Sequence, residues 1–331
     1  MKRLIAAAFA GMLLLCACAP VQKQADTTLM AMDTVMTFRA YGVDDLTDAE
    51  NTVKRLEEKL SVTVEGSEIA SLNAYGQGTV SEDTADLLRR ALAICERTGG
   101  ALDISIYPVV QCWGFTGEEK QVPTTETLAS LLPLVDHTKI CLDGHSVTLP
   151  EGMMIDLGGV AKGYTGEVLA AQLKKAGVIS ACLNLGGNVQ TVGARPDGTD
   201  WKIGVQDPES EDYLGVLSLN GQAAVTSGAY QRYFTGEDGK TYGHILNPKT
   251  GDQPDTDLLS VTVVGESGTL CDGLSTALYV MGSEKAGDFW RDSEDFEAVF
   301  VKNDGSVMVT EGLENRFALH GKSRELTVIR R

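Results

Sequence analysis

An aspartate and a threonine stand four residues apart in an apolar segment that predicts a helix over about residues 271–281. On such a helix, Asp272 and Thr276 lie on one face, one turn apart. A carboxylate and a hydroxyl arranged in this way supply hard oxygen ligands, which suit Mg²⁺ better than zinc. The alternative is that Asp272 caps the N-terminus of the helix. The spacing by itself leaves both interpretations open.

A glycine-rich turn provides a second candidate site. The sequence IDLGGVAKGY at residues 155–164 is typical of a strand end, a tight turn and a helix start. Glycines let the backbone approach a ligand closely, and the N-terminus of a helix favours phosphate. Lys162 would add a positive charge. A glycine turn before a helix is also common where only chain geometry requires it.

A third candidate is His244, in the sequence GHILNPKTG at residues 243–251. The Asn-Pro and Lys-Thr-Gly steps predict a tight turn that holds the histidine at a strand end. Imidazole titrates near neutrality, so His244 could act as a base or orient a phosphate. A single histidine at a turn can equally be structural or solvated.

A fourth candidate is Asp103, in the sequence ALDISI at residues 101–106, which we interpret as an otherwise apolar strand. Burying an unpaired carboxylate is costly, so Asp103 must bind a polar ligand or accept backbone donors. The nearby Trp113 and Phe115 either flank a ring or fill the core.

Composition and missing motifs exclude several classes of function. The chain of 331 residues carries 46 acidic and 28 basic side chains, a net charge of −18, with no basic stripe, so it does not bind nucleic acid. The dinucleotide motif GxGxxG, the Walker motif, the GxSxG elbow and HExxH are all missing. Five widely spaced cysteines beyond the leader indicate neither a zinc site nor a disulfide framework.

The first residues predict export. Lys2 and Arg3 precede an apolar run over 4–15 that is shorter than a membrane-spanning helix requires. The following Leu-Cys-Ala-Cys resembles a bacterial lipobox with Cys18 as the lipidated residue. We therefore predict a signal peptide over 1–17, lipidated Cys18 with a polar tether over 18–28, and anchoring to the periplasmic or extracytoplasmic face of the cell membrane. An ordinary cleaved signal is the alternative.

Residues 29–331 contain no repeat or linker and predict one α+β domain, with mixed sheets and flanking helices, because strands and helices alternate without strict order. Predicted helices span 46–61, 83–98, 124–134, 160–176 and 271–281, and predicted strands span 36–41, 153–157, 179–185 and 260–264. Hairpin turns are predicted at 220–221, 238–239 and 303–305.

Taken together, the ordered motifs resemble the ApbE family of FAD:protein FMN transferases, which are often exported lipoproteins. The resemblance covers about residues 29–330. It is carried by AMDTVM (31–36), ALDIS (101–105), WGF (113–115), IDLGGVAKGY (155–164), NLGGN (184–188), VTSGAYQRYF (225–234), GHILNPKTG (243–251) and CDGLSTAL (271–278).

The resemblance implies roles for individual residues. Asp272 and Thr276 would bind a metal through side-chain oxygens, with backbone carbonyls near Gly159 and of Ser275 completing the shell. Many relatives carry a stacking aromatic residue where this chain has Thr63. His244 would lie beside the pyrophosphate. The FAD site would be lined by Met32, Thr63, Ala101, Leu102, Asp103, Asp156, Lys162 and Ile245.

The implied reaction is Mg²⁺-dependent transfer of FMN from FAD to a threonine or serine hydroxyl, with release of AMP. The implied acceptors are exported flavoproteins, such as subunits of membrane ion-pumping oxidoreductases. Three alternatives remain: an FAD pyrophosphatase in which water attacks, a lipoprotein that binds flavin without turnover, and a structural cell-surface protein.

Overall fold

The computed structural model describes residues 23–117, 119–321 and 324–331. The predicted signal peptide and Cys18 lie outside these residues. The strands are β1 Gln24–Ala31, β2 Thr34–Tyr41, β3 Gln77–Thr79, β4 Cys141–Asp143, β5 Ser146–Thr148, β6 Ser180–Leu185, β7 Val189–Val192, β8 Trp201–Gln206, β9 Tyr213–Leu219, β10 Ala223–Ser227, β11 Tyr233–Thr235, β12 Thr241–Gly243, β13 Leu258–Gly265, β14 Phe296–Lys302, β15 Val307–Thr310, β16 Phe317–Leu319 and β17 Leu326–Ile329. The helices are α1 Thr47–Leu60, α2 Glu68–Tyr75, α3 Glu82–Arg97, α4 Tyr107–Trp113, α5 Thr125–Leu131, α6 Ala161–Lys175, α7 Gly268–Met281 and α8 Ser283–Arg291.

A nine-stranded sheet organises the domain, in the order β1-β2-β6-β7-β10-β13-β14-β15-β17. Neighbouring strands are antiparallel except for β15 and β17, which are parallel. A small sheet, β16-β9-β8, covers part of one face. The α+β prediction is confirmed. Among the described residues, no helix has the length and apolar character needed to cross a membrane.

Alternating side chains divide the large sheet into two faces. On β2, Met36, Phe38 and Ala40 are buried against α1 and α6, whereas Val35 and Thr37 are exposed on the opposite face. Helices α1, α6 and α7 pack on the first of these faces, which we call the helix face, and α3 packs against α7. We call the opposite face the open face, because no α-helix of the described residues covers it; the small sheet covers part of it.

The crossing of α6 and α7 is unusually close because glycines stand on both helices. A Cβ atom on Gly163 would lie 2.1 Å from the carbonyl oxygen of Gly268, and one on Gly268 would lie 2.6 Å from that of Gly163. No side chain fits at either position. The two backbones therefore approach each other directly at the start of α6 and in the first turn of α7.

Most predicted elements are present, with corrections near the N-terminus and in the middle of the chain. The five predicted helices correspond to α1, α3, α5, α6 and α7, and the hairpins at 238–239 and 303–305 are confirmed. The predicted tether over 18–28 is wrong from Gln24 onward, because these residues form β1 and pair with β2.

Two predicted strands are not strands. In 153–157, the side chain of Asn73 satisfies the N–H and carbonyl of Ile155, and only Met154 forms a bridge, to Ile106. Residues 101–106 form turns, because Asp103 accepts the N–H of Ser105 two residues along.

The turn at 220–221 does not form a hairpin. It joins β9 in the small sheet to β10 in the large sheet, so the flanking strands do not pair with each other. The five cysteines of the described residues are free thiols, of which Cys95 and Cys271 are buried and Cys141 is exposed.

Gly163→Ala should destabilise the domain, because the added methyl group must separate α6 from α7. We expect a loss of about 1–3 kcal/mol or more in the free energy of unfolding, measured by denaturant titration. Gly287→Ala is the matched control, because the nearest atoms to a Cβ there are 3.8 Å away. That substitution, within α8, should be neutral or stabilising by about 0.5–1 kcal/mol. Equal effects of the two substitutions would contradict this account of the crossing.

Candidate functional site

Asp272 lies in the second turn of α7 and is not its cap. Ser267 is the N-cap residue, and its Oγ accepts the N–H of Leu270 at 3.2 Å. The carboxylate of Asp272 instead accepts the backbone N–H of Gly163, in the first turn of α6, at 2.8 Å. The cap interpretation is therefore wrong. The α6–α7 crossing holds this carboxylate against the start of a second helix.

Burial dominates the electrostatics of Asp272. Only 5% of the residue is exposed, and this burial raises the pKa of its carboxyl group. The positive charge of Lys162, the N–H of Gly163 and the side chain of Asn188 oppose that rise. A carboxylate held in this way would be stabilised by a further cation.

The hydroxyl groups beside Asp272 form a chain. Ser275 Oγ donates to the carbonyl of Asp272 at 2.8 Å, so it accepts from Ser227 Oγ at 2.7 Å. Thr276 Oγ1 lies 3.2 Å from Ser227 Oγ and can donate to it, which leaves the lone pairs of Thr276 free for a cation. Ser227, at the end of β10, was not among the predicted site residues, although it belongs to the VTSG motif.

The glycine turn lies against the same part of α7. A Cβ atom on Gly159 would be 3.9 Å from Thr276 Oγ1 and 3.3 Å from Leu102 Cδ1. Leu102 and its neighbour Ala101 are buried. The structure therefore brings together the predicted metal ligands Gly159, Asp272, Ser275 and Thr276, with two of the predicted flavin contacts beside them.

Asp156, at the start of the glycine turn, accepts the N–H of Gly158 at 2.8 Å. Burial raises the pKa of its carboxyl group, and the charges of Lys162 and Arg232 lower it. Arg232 also donates to the carbonyl of Phe115. Sequence reasoning missed Arg232 because it is far from the other site residues in the chain. Its presence in the VTSGAYQRYF motif was the available signal.

His244 follows β12, and its ring is fixed by the backbone of Arg232. The N–H of His244 lies 3.0 Å, and its Nδ1 3.1 Å, from the Arg232 carbonyl oxygen. A carbonyl only accepts, so Nδ1 carries the proton and Nε2 has a free lone pair. Burial lowers the pKa of His244 to about 4, and the charges of Lys162 and Arg232 act in the same direction. The imidazole is therefore neutral at pH 7.

Asp103 is buried with its hydrogen bonds satisfied. Its Oδ1 accepts the N–H of Ser105 at 2.9 Å and the hydroxyl of Ser105 at 2.6 Å. Its Oδ2 accepts the N–H of His137 at 3.1 Å and lies 2.8 Å from His137 Nδ1. Of the two interpretations left open by the sequence, the backbone-donor interpretation describes this carboxylate. His137 was not predicted as its partner.

The remaining predicted flavin contacts lie at different depths. Met32 is in the turn between β1 and β2 at φ 49°, with its sulfur 3.8 Å from Thr165 Oγ1 of α6. Ile245 is 6% exposed and follows His244 directly. Thr63 is exposed in the loop after α1 and is hydrogen-bonded to Ser61 in the same loop.

The predicted aromatic pair fills core. Trp113 and Phe115 are 1% and 2% exposed and cluster with Phe234 and Tyr242. Trp113 Nε1 donates to the carbonyl of Gly251 at 2.8 Å, which fastens the turn that follows His244. The cluster therefore positions the histidine segment.

Across 23–117, 119–321 and 324–331, no group of three or more His, Cys, Asp or Glu side chains is arranged to hold a metal. A cation at Asp272 would depend on one carboxylate, a hydroxyl and backbone carbonyls. That donor set contains only oxygen and fits Mg²⁺. Lys162, Arg232 and the start of α6 would favour an anionic ligand beside it.

Comparison with known proteins agrees with this geometry. The ApbE family model matches residues 32–300. An FAD:protein FMN transferase of Klebsiella pneumoniae is 35% identical over 276 residues, which cover 80% of this chain and 84% of the relative. One of Treponema pallidum is 32% identical over 285 residues, covering 80% of this chain and 78% of the relative.

Solved structures are similar over nearly their whole length. The ApbE protein of Thermotoga maritima superimposes with a TM-score of 0.83 at 30% identity, covering 89% of this chain and 99% of that one. The apo form of the Pseudomonas stutzeri flavinyl transferase ApbE gives a TM-score of 0.80 at 26% identity, covering 91% and 98%. Fold, ordered motifs and sequence identity agree, and the chain therefore belongs to the ApbE family.

Proposed function

We propose that this protein is an FAD:protein FMN transferase, which moves FMN from FAD to a hydroxyl group of another protein. One observation carries the proposal: a buried carboxylate, Asp272, is held at the start of α6 beside the hydroxyl of Thr276 and the glycine turn. Lys162 acts on the same carboxylate. A diphosphate with a divalent cation is the ligand that matches both the acidic and the basic groups. Relatives named for this activity support the proposal.

The reaction is a displacement at phosphorus. The hydroxyl oxygen of the acceptor threonine or serine attacks the phosphorus nearer the flavin, and a new P–O bond forms. The bond from that phosphorus to the bridging oxygen breaks, and AMP leaves with this oxygen. The hydroxyl proton passes to a base. Because no electron is transferred to or from the flavin ring, the flavin serves as the group that is moved.

We propose that Mg²⁺ is the cation, bound by the side chains of Asp272 and Thr276 and by backbone carbonyls near Gly159 and of Ser275. Bound there, Mg²⁺ would neutralise charge that develops on the phosphoryl oxygens. Ser227 holds Thr276 by a hydrogen bond, so that the threonine oxygen presents its lone pairs. The remaining contacts of FAD are proposed for Met32, Ala101, Leu102, Asp156, Lys162 and Ile245, with Thr63 at the rim. The carboxylate of Asp103 is occupied by Ser105 and His137, so Asp103 is proposed to hold the backbone of its own segment.

His244 is proposed as the group that accepts the hydroxyl proton. In its neutral form, with Nδ1 bonded to the Arg232 carbonyl, only the lone pair of Nε2 is available. A lone pair accepts a proton from a hydroxyl but cannot donate a hydrogen bond to a phosphate oxygen. The tautomer thus favours the base role over the phosphate-binding role.

Residues 1–17 are proposed to be a signal peptide and Cys18 the lipidated residue, which would place the enzyme on the outer side of the cell membrane. Support comes from the charged start, the apolar run and the lipobox-like sequence. Because β1 begins at Gln24, the segment from Cys18 can reach at most about 20 Å. The catalytic domain would then lie close to the membrane, where flavoprotein subunits of ion-pumping oxidoreductases are suitable acceptors.

The proposed function is tested by incubating the protein with FAD, Mg²⁺ and a recombinant acceptor domain of such a subunit. We expect flavin fluorescence on the denatured acceptor, a mass increase equal to FMN and one AMP released per adduct. Chelation with EDTA should abolish the transfer, and added Mg²⁺ should restore it. Free FMN with unmodified acceptor would instead indicate hydrolysis, and retention of FAD without AMP would indicate a binding protein.

Asp272→Asn should reduce metal-dependent transfer by about 10²–10³-fold, because a single preorganised electrostatic contact contributes on this scale. The measurement is AMP release against Mg²⁺ concentration. Asp288→Asn, an exposed carboxylate on α8 paired with Arg291, is the matched control and should retain full activity. Thermal unfolding of both variants checks the fold. Normal activity of the Asp272 variant would refute the metal assignment.

His244→Ala should slow transfer about 10²–10⁴-fold while changing FAD affinity far less. His145→Ala, on a side chain 48% exposed next to Glu82, is the control. Because the pKa of His244 is lowered to about 4, protonation of its ring should reduce activity only near pH 4, well below the usual range for histidine. Equal losses of transfer and of FAD affinity in the alanine variant would make His244 a binding residue.

A further inference from the structure

The open face of the large sheet carries a groove of about 860 Å³, within the volume range of ligand sites. Its floor is formed by polar side chains that alternate with the core residues, among them Thr37 of β2, Asn184 of β6 and Thr226 of β10. Its wall is β8, and all six residues of Trp201–Gln206 line it. The groove is separated by the sheet from the helix face, where Asp272 lies.

The wall of the groove is an unpaired strand edge. In the small sheet, β8 pairs only with β9, so within the described residues its other edge has no strand partner. Such an edge presents a row of N–H and C=O groups that an added extended chain can pair with. The occupant that satisfies this row is a polypeptide.

One side chain in the groove is also unsatisfied. Trp201 is 8% exposed, and its Nε1 is buried without a hydrogen-bond partner in the described part of the chain. An indole N–H only donates, so the partner that it lacks is an acceptor, and a peptide carbonyl is one such group. Leaving this N–H buried and unpaired is costly.

The charges of the groove discriminate between a peptide and FAD. Two acidic residues and two basic residues line it, Asp26 and Glu211 with Arg39 and Lys202, so it has no net charge. Asp26 and Arg39 form an ion pair at 2.6 Å. A surface without net charge gives no net electrostatic attraction to a diphosphate. The neutral, polar backbone of a peptide can bind to such a surface.

Two residues that line the groove are chain neighbours of residues in the candidate site. Gly187 and Thr226 line the groove, and they directly precede Asn188 and Ser227 in the chain. The side chain of Asn188 acts on Asp272, and Ser227 contacts Ser275. A segment in the groove would therefore end at the turn between β6 and β7, beside the phosphate site.

We infer that this groove binds the acceptor polypeptide as an extended segment along β8, so that its hydroxyl-bearing residue crosses the β6–β7 turn to reach the phosphorus. This inference rests on the proposed transferase function. FAD and acceptor then occupy opposite faces of one sheet. Each can bind without displacing the other.

Thr37→Trp tests the inference, because it fills the floor of the groove from an exposed position. We expect kcat/KM for the acceptor domain to fall at least 10-fold, while FAD affinity, measured by flavin fluorescence, stays unchanged. Val35→Trp is the matched control: it lies on the same strand and face, is exposed, and does not line the groove. It should behave as the wild type, and thermal unfolding should confirm that both variants fold.

A second measurement uses the unmodified protein. Adding the acceptor domain without FAD should slow hydrogen exchange at the amides of residues 201–206. Wild-type kcat/KM in Thr37→Trp, or unprotected β8 amides, would overturn the inference while leaving the transferase function intact. Loss of FAD affinity in Thr37→Trp would assign the groove to FAD and overturn it as well. If the wild-type protein transfers no FMN at all, the transferase function itself fails and the inference falls with it.

Discussion

The close crossing of α6 and α7 is the constraint on which the candidate site depends. Gly163 and Gly268 allow the two backbones to touch, and at that distance the N–H of Gly163 reaches the carboxylate of Asp272. A side chain at either glycine would separate the helices and move the carboxylate away from the glycine turn. The positions of Thr276 and Gly159 follow from the same contact, because they belong to the same two segments.

The site contains buried acidic groups and nearby basic groups, and each would be costly to bury without the other. Two carboxyl groups, Asp156 and Asp272, have pKa values raised by burial, and Lys162 opposes the rise at both. Arg232 acts on Asp156 and on His244, and the histidine remains neutral. In a chain of net charge −18, such local compensation is what permits a dianionic dinucleotide to approach. A divalent cation at Asp272 would complete it.

The large sheet separates two tasks. Because successive side chains of a strand point to opposite faces, Ser227 contributes to the site on the helix face while Thr226 lines the groove on the open face. In the β6–β7 turn, Gly187 lines the groove, and its neighbour Asn188 acts on Asp272 in the candidate site. A transferase must bring a dinucleotide and a protein segment to one phosphorus atom, and two faces that meet at a strand end provide that arrangement.

The sequence alone determined the local features. The spacing of Asp272 and Thr276, the glycine turn, α6, α7 and two hairpins follow from short-range periodicity and turn chemistry, and the order of the motifs predicted the family. Contacts between distant segments were decided only by the tertiary structure. The sequence missed the contributions of Arg232, Ser227 and Asn188 to the site, the strand β1 and the pairing of Asp103 with His137. It also predicted a hairpin at 220–221 that does not form. Each of these features depends on which segments of the chain meet. The physical reason is that hydrogen-bonding patterns and turn propensities act over a few residues, whereas strand partners and helix crossings depend on how the whole chain packs.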